Sequence, residues 1–312
     1  MRLRVTQLRW EADGVVSVVL RSPAGDPLPA WQPGAHVAVT LPSGLVRQYS
    51  LCGPADDPYS YMIAVLLVGD GRGGSREIHE RLRIGEVLDV DGPKNNFSLV
   101  DASRYLFLAG GVGITPILAM IESLRCQQDP PLWRLLYGGR SRSAMAFADR
   151  LCAMAGVELV AQDEAGLPDI AGALADSPAG TAVYCCGPPA MIAAVQQACE
   201  RRPEIQLHIE RFAAADAEAV SVGGAAFDVE LARSGVTVTV PEDKSVLDAV
   251  LEVNPDAAYS CAAGFCGTCE TKVLGGEVDH RDELLSEDER QANTTMMICV
   301  SRSRGGKLTL DL

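Results

Sequence analysis

The chain has 312 residues, room for two or three domains, with 27 basic and 41 acidic side chains and a formal net charge of −14. So acidic a chain is a poor non-specific binder of nucleic acid, because phosphate neutralisation needs Lys and Arg in excess. Apolar residues make up 47%, which supports buried cores and excludes global disorder, while the longest apolar runs fall far short of the roughly 20 residues of a membrane helix.

Residues 1–100 read as an antiparallel β-barrel. Leu3–Arg9 and Val15–Arg21 flank the turn Asp13-Gly14, and His36–Leu41, Val46–Leu51 and Tyr59–Val68 follow between Pro and Gly clusters. One helix, Ser75–Leu82, interrupts them. The N-terminus runs directly into this strand pattern with no apolar h-region, so no secretory signal is expected. Ten cysteines then point to a reducing, cytoplasmic setting, where clustered thiols serve metals or redox chemistry. Within the block, Arg47-Gln48-Tyr49-Ser50 offers a cation, an aromatic face and a hydroxyl within four residues. The Gly-rich loop through Gly73-Gly74-Ser75 opens the helix, a pattern that cradles phosphate on backbone N–H groups.

Residues 101–216 alternate strand and helix, the mark of a doubly wound parallel sheet. The strands are Tyr105–Ala109, Trp133–Tyr137, Val157–Gln162, Thr181–Cys185 and Ile205–Glu210; the helices are Pro116–Arg125, Ser143–Met154 and Pro189–Arg201. Two strand ends carry chemistry. The run Gly110-Gly111-Val112-Gly113-Ile114-Thr115-Pro116 passes from strand through a glycine turn into a helix, and Cys186-Gly187-Pro188-Pro189 does the same. Both turns can present N–H donors to a dinucleotide at the carboxyl ends of strands. Arg140-Ser141-Arg142 follows the second strand, where an adenine ribose would lie, and arginines there can accept a 2′-phosphate.

Ala213–Ala226 lacks large side chains and reads as a linker, assigned to residues 217–226. Residues 227–312 form a third unit with 8 basic and 16 acidic residues. It has strands Phe227–Arg233 and Val236–Val240, a helix Ser245–Leu251, a Gly/Cys loop, and closing strands near Met297–Val300 and Leu308–Leu310. Cys261-x4-Cys266-x2-Cys269, with Cys299 following after 29 residues, is plant-type [2Fe–2S] spacing. A zinc site is the alternative, but zinc commonly uses paired Cys-x2–4-Cys knuckles, which this triple does not match. The region resembles a plant-type ferredoxin, implying an α+β β-grasp fold. Cys52, Cys126, Cys152, Cys185 and Cys199 read as small apolar core residues, and His36, His79, His208 and His280 show no catalytic spacing. Glu283, Glu287, Asp288 and Glu289 form either a docking face for a basic partner or a solvated helix surface.

Taken together, Arg47–Ser50, the Gly73–Ser75 loop, Gly110–Pro116, Cys186–Pro189 and the four cysteines resemble the phthalate dioxygenase reductase family, which includes reductases of aromatic demethylases. The resemblance covers the whole chain and implies FMN, NADH and a [2Fe–2S] cluster, with spacing alone leaving FAD open and the arginines leaving NADPH open. It implies that Arg47 engages the flavin phosphate side, Tyr49 packs on the ring, Ser50 bonds near N5, and Gln48, Ala64 and Val65 line the flavin. Gly73, Gly74 and Ser75 would hold the phosphate. Gly110, Gly111, Gly113, Ile114, Thr115 and Pro116 would face the dinucleotide with Gly187, Pro188 and Pro189, Thr115 lying near the flavin. Cys186 would sit by the nicotinamide, and Phe212 would shield the flavin. The implied partner is the terminal oxygenase of a Rieske non-haem iron system. The other readings are a reductase for a haem oxygenase or soluble carrier and, in a different class, a non-enzymatic binding protein with structural zinc.

Overall fold

The alternating residues at the N-terminus pair as an antiparallel hairpin, β1 (Arg2–Ala12) and β2 (Val15–Arg21), joined through Gly14 at φ 72°. This computed structural model describes all residues except 70–72, 213–223, 256, 260 and 266. The chain forms two compact units, Met1–Phe212 and Ala213–Leu312. In the first, β3 (Ala35–Thr40), β4 (Val46–Ser50), β5 (Tyr61–Leu66), α1 (Gly74–Glu80) and β6 (Val87–Asn95) follow the hairpin. The strand order is β4-β3-β6-β1-β2-β5, and a bridge from Leu51 to Ile63 joins the two outermost strands, curling the sheet into a barrel. β6 is an addition to the sequence reading. Asp89, Asp91, Gly92 and Pro93 disguise it, yet Leu88 and Val90 are buried and it sits between β3 and β1.

The parallel sheet uses β7 (Arg104–Gly110), β8 (Leu132–Gly139), β9 (Val157–Ala161), β10 (Ala182–Cys186) and β11 (Gln206–Glu210), in the order β11-β10-β7-β8-β9. Its helices are α2 (Ile114–Arg125), α3 (Ala148–Leu151), α4 (Gln162–Ala165), α5 (Ile170–Ala175) and α6 (Pro189–Cys199). The helix expected over Ser143–Met154 is broken into a 3-10 turn at Arg142–Ala144 and the short α3. Phe147, at φ 59°, adopts a left-handed conformation that no helix continues through. Cys126 and Cys152, expected in the core, are exposed at the ends of α2 and α3.

Barrel and sheet share a core. Ala12, Cys52 and Ala64 of the barrel pack in one cluster with Ile114 and Ile117 of α2. Two tyrosine hydroxyls bolt the connecting segment. Tyr184 donates to the Ser98 carbonyl (2.9 Å) and accepts from Val100 N–H (2.7 Å). Tyr105 donates to the Val100 carbonyl (2.8 Å) and accepts from Ala102 N–H (2.9 Å). These bonds satisfy backbone groups that the turn away from the barrel strands the connection of sheet partners.

The second unit contains β12 (Phe227–Leu231), β13 (Val236–Val240), α7 (Val246–Val253), β14 (Glu270–Gly275), β15 (Val278–Asp279), α8 (Glu287–Ala292), β16 (Thr295–Met297), β17 (Arg302–Ser303) and β18 (Lys307–Leu310). The main sheet runs β13-β12-β18-β14-β16, with β12 and β18 parallel, and α7 packs its buried face on it. Ser245 and Asp248 close a capping box at the start of α7. The strand expected at Met297–Val300 ends at Met297; residues 298–300 turn, carrying Cys299 with them. Among the described residues no helix is long and apolar enough to cross a membrane.

Candidate functional site

Strand β4 carries Arg47, Gln48, Tyr49 and Ser50, registered against Val39, Ala38, Val37 and His36 of β3. A Cβ at Gly74 would fall 2.8 Å from Arg47 Cγ and Nε, so the arginine lies directly over the first turn of α1. Gly73 caps that turn at φ 86°, a conformation glycine adopts without strain. Ser75 Oγ accepts the Val68 N–H at 3.0 Å, leaving its own proton to donate. Arg47, Gly73, Gly74 and Ser75 therefore converge as a cation beside the first turn of α1, an arrangement suited to phosphate. Gly71 and Arg72 of the same loop lie outside the described residues. Burial raises the Tyr49 hydroxyl above its ordinary value, with Arg47 opposing, so the ring stays neutral. Ala64 and Val65 are buried in β5, the Val65 carbonyl 2.9 Å from His79 Nε2.

The two glycine turns meet. A Cβ at Gly113 would stand 2.2 Å from the Cys186 carbonyl oxygen, and one at Gly110 would stand 2.5 Å from Pro188 Cδ. A Cβ at Gly187 would stand 3.1 Å from the Gly110 backbone. Side chains at these positions would drive the turns apart, which is why the chain has glycine there. Gly111, Ile114 and Pro116 continue the first turn into α2, and Pro189 opens α6 at a position where its missing N–H costs no helical bond. Thr115 is buried, its hydroxyl donating to the Val112 carbonyl at 3.0 Å. Arg140 and Arg142 are exposed past the end of β8; the Arg140 carbonyl accepts Asp163 N–H (3.1 Å) and Ser141 shares a hydroxyl bond with Ser143 (3.1 Å).

Barrel and sheet are joined by polar contacts, among them Asp13 N–H to the Ser143 carbonyl at 2.8 Å. Ser50 Oγ donates to Glu210 Oε2 at 3.3 Å, across 160 residues of sequence. Glu210 is the last residue of β11, paired with Cys186 on β10. Burial pushes the Glu210 carboxyl up to about 8, with the Ser50 bond opposing, so it is largely protonated at neutral pH. Burial first, then Glu210 and Cys185, hold the Cys186 thiol well above its ordinary value. A thiol held neutral in this way is a packing and contact group, not a nucleophile. Phe212, two residues past β11, is 41% exposed. Ser50 and Cys186 are thus drawn together around Glu210, a residue that the sequence reading passed over. Its signal was weak: a strand-end carboxylate gains meaning only from a hydroxyl on a distant strand.

In the second unit, the Cys299 thiol reaches hydrogen-bonding distance of both Cys261 and Cys269. The Ala263 N–H points at Cys261 Sγ from 3.3 Å. Ala262, Gly264 and Gly267 take positive φ values (52°, 78° and 74°), winding the backbone tightly around the thiols. Cys269 and Cys299 are each 4% exposed; Cys266 lies outside the described residues.

Residues 229–304 match the model of a 2Fe-2S iron-sulfur cluster binding domain, and residues 107–197 that of an oxidoreductase NAD-binding domain. The chain is 41% identical over 314 residues to the phenoxybenzoate dioxygenase subunit beta of Ectopseudomonas oleovorans, spanning 99% of this chain and 97% of that protein. It superposes on the solved structure of phthalate dioxygenase reductase with a TM-score of 0.76 at 34% identity, covering 100% of this chain and 98% of that one. The chain belongs to the phthalate dioxygenase reductase family. The reductase also matches an intact type IV self-sufficient cytochrome P450 monooxygenase (TM-score 0.84, 43% identity), covering 100% of its own length and 41% of that longer chain.

The reductase is an NAD(P)H-dependent iron–sulfur flavoprotein oxidoreductase that uses FMN, NADH and a [2Fe–2S] cluster. The cluster-domain match replaces the zinc alternative. The residues present fit each group. The Arg47–Gly74 approach sets a cation against the first turn of α1, where backbone N–H groups suit a phosphate. The glycine turns bring two strand ends into close contact, and in the thiol loop the Ala263 N–H donates to sulfur.

Proposed function

We propose that this reductase serves the terminal oxygenase of a Rieske non-haem iron system. Flavin supplies the chemistry that converts a two-electron hydride from NADH into single electrons, which the cluster then carries to the acceptor. The observation that supports this reading most is the Ser50–Glu210 bond, which ties the barrel strand of Arg47–Ser50 to the strand end of Cys186.

In this reading Arg47, Gly73, Gly74 and Ser75 hold the FMN phosphate side, with Gln48, Ala64 and Val65 along the ring. Tyr49 packs on the ring, and Ser50, oriented by Glu210, presents its hydroxyl near N5. Gly110, Gly111, Gly113, Ile114, Thr115 and Pro116 meet the dinucleotide together with Gly187, Pro188 and Pro189. Cys186 would line the nicotinamide site as a neutral thiol, and Phe212 would shield the flavin. Arg140, Ser141 and Arg142 flank the adenine ribose. NADH is the donor, and replacing both arginines by Ala would leave its use intact while weakening any use of NADPH. Cys261, Cys266, Cys269 and Cys299 ligate the irons. The domains run 1–100 for FMN, 101–216 for NAD and 227–312 for the cluster. The linker 217–226 falls mostly outside the described residues. The setting in this reading is a reducing cytoplasm, where cysteines serve as thiols or cluster ligands.

A second reading has a specific observation behind it: the match to the self-sufficient P450 makes a haem oxygenase the rival acceptor. A soluble carrier is the remaining rival. Reconstitution of NADH oxidation with a Rieske oxygenase, a cytochrome P450 and a ferredoxin in parallel discriminates them. Coupled turnover with the Rieske component alone is expected; coupling to the P450 alone would transfer the assignment.

A further inference from the structure

Burying a guanidinium removes strong hydration, and the loss is offset only where its N–H groups find well-placed acceptors. Arg302 is 1% exposed and heads the fully buried side chains by size. Among the described residues its acceptors are backbone carbonyls. Nη1 donates to Lys244, and Nη2 donates to Pro241 at 3.0 Å and to Ala225 at 3.1 Å. The guanidinium carbon stands 5.0 Å over the ring of Phe227, a cation–π contact. A Cβ at Gly224 would meet Arg302 Nε at 3.0 Å.

Lys244 and Pro241 belong to the loop between β13 and α7, inside the cluster unit. Gly224 and Ala225 belong to the segment that leads into β12, and Phe227 is the first residue of that strand. One buried cation thus ties that leading segment to an interior loop. Strand β12 does not need this tie for its own pairing, since β13 and β18 satisfy its two edges. We infer that Arg302 is a positioning residue for electron transfer: it fixes the point at which the chain joins the cluster unit. The physical basis is tether arithmetic, because the effective concentration of a linked partner depends on where its connecting chain is anchored. Pinning residues 224–227 sets that anchoring point on the cluster unit. This inference rests on the flavin-to-cluster relay proposed above.

The test uses the full-length holoenzyme, loaded with FMN and cluster, as parent, Arg302→Lys and Arg302→Met. Lysine keeps the charge but cannot fork to three carbonyls. Amide exchange across residues 224–228 is expected to accelerate by at least about tenfold in both variants as the segment opens. Flavin bleaching by NADH and the cluster midpoint potential are expected to match the parent. Flavin-to-cluster transfer is expected to slow by about threefold and to become multiphasic. Unchanged exchange would overturn the inference, as would a freed segment with a parental single-phase rate. So would slowing that tracks a shifted cluster potential, which would make the role electrostatic. If the variants fail to fold, Gly224→Val keeps the guanidinium and displaces the segment, with the same outcomes decisive. A parent enzyme in which NADH never reduces the cluster through the flavin would instead refute the relay, whatever Arg302 does.

Discussion

In Met1–Phe212 the candidate site is assembled from distant pieces of chain: Ser50 meets Glu210 across 160 positions, and the turn at Gly113 nests against the carbonyl of Cys186. In Ala213–Leu312 three of the four cysteines come from one short loop, with Cys299 alone brought in from a later turn. The first site depends on a joint between two folded layers. The second depends on local backbone winding at Ala262, Gly264 and Gly267. A fault in the joint should therefore damage flavin and nucleotide chemistry while sparing the cluster, and a fault in the thiol loop should do the reverse.

The largest effect is expected from Cys299→Ser. Iron and acid-labile sulfide should fall to background and NADH-driven reduction of cytochrome c should stop, because metal binding is lost with its ligand. Flavin bleaching by NADH should keep its parental rate; loss of that rate too would break the contrast between the units. Gly113→Val comes next. Its Cβ would begin 2.2 Å from the Cys186 carbonyl oxygen, so the turns must separate. The unit holding them should lose about 3 kcal/mol in urea unfolding, while the cluster absorbance transition stays put.

Tyr184→Phe probes the joint more gently. It leaves the Ser98 carbonyl and Val100 N–H without their partner, at about 1–3 kcal/mol. Thermal unfolding followed by flavin release should shift down by about 2–4 °C per kcal/mol. The mildest prediction concerns pH. Between the ordinary carboxyl value of 4.5 and about 8, folded Glu210 holds a proton that the unfolded chain has lost, so its contribution to stability falls as pH rises through that window. Above about 8 the carboxylate places negative charge beside Ser50; with the flavin placed there as proposed, the rate of flavin reduction should step down. Glu210→Gln should flatten both profiles; an unchanged step would assign it to another group.

Strands β7 and β10 were legible because they are continuous apolar runs that end in or just before glycine, at Leu106–Gly110 and Val183–Cys186. The cluster domain was legible because cysteine spacing within a loop is a local property of sequence. β6 was hidden, since Asp89, Asp91, Gly92 and Pro93 mimic a loop while Leu88 and Val90 alone face the core. The helix over Ser143–Met154 was over-read because composition does not reveal that Phe147 turns left-handed. Glu210 and Arg302 went unnoticed for a shared reason. Their partners are a hydroxyl on another domain and a set of backbone carbonyls, and neither leaves a mark in nearby sequence.

The central claim is the order of electron flow through the reductase. Anaerobic stopped-flow mixing of the loaded enzyme with NADH, followed at flavin and cluster wavelengths, tests it most directly. Flavin absorbance should bleach first, with the cluster signal following as electrons pass on. Cluster reduction that precedes flavin bleaching, or proceeds in enzyme stripped of flavin, would contradict it.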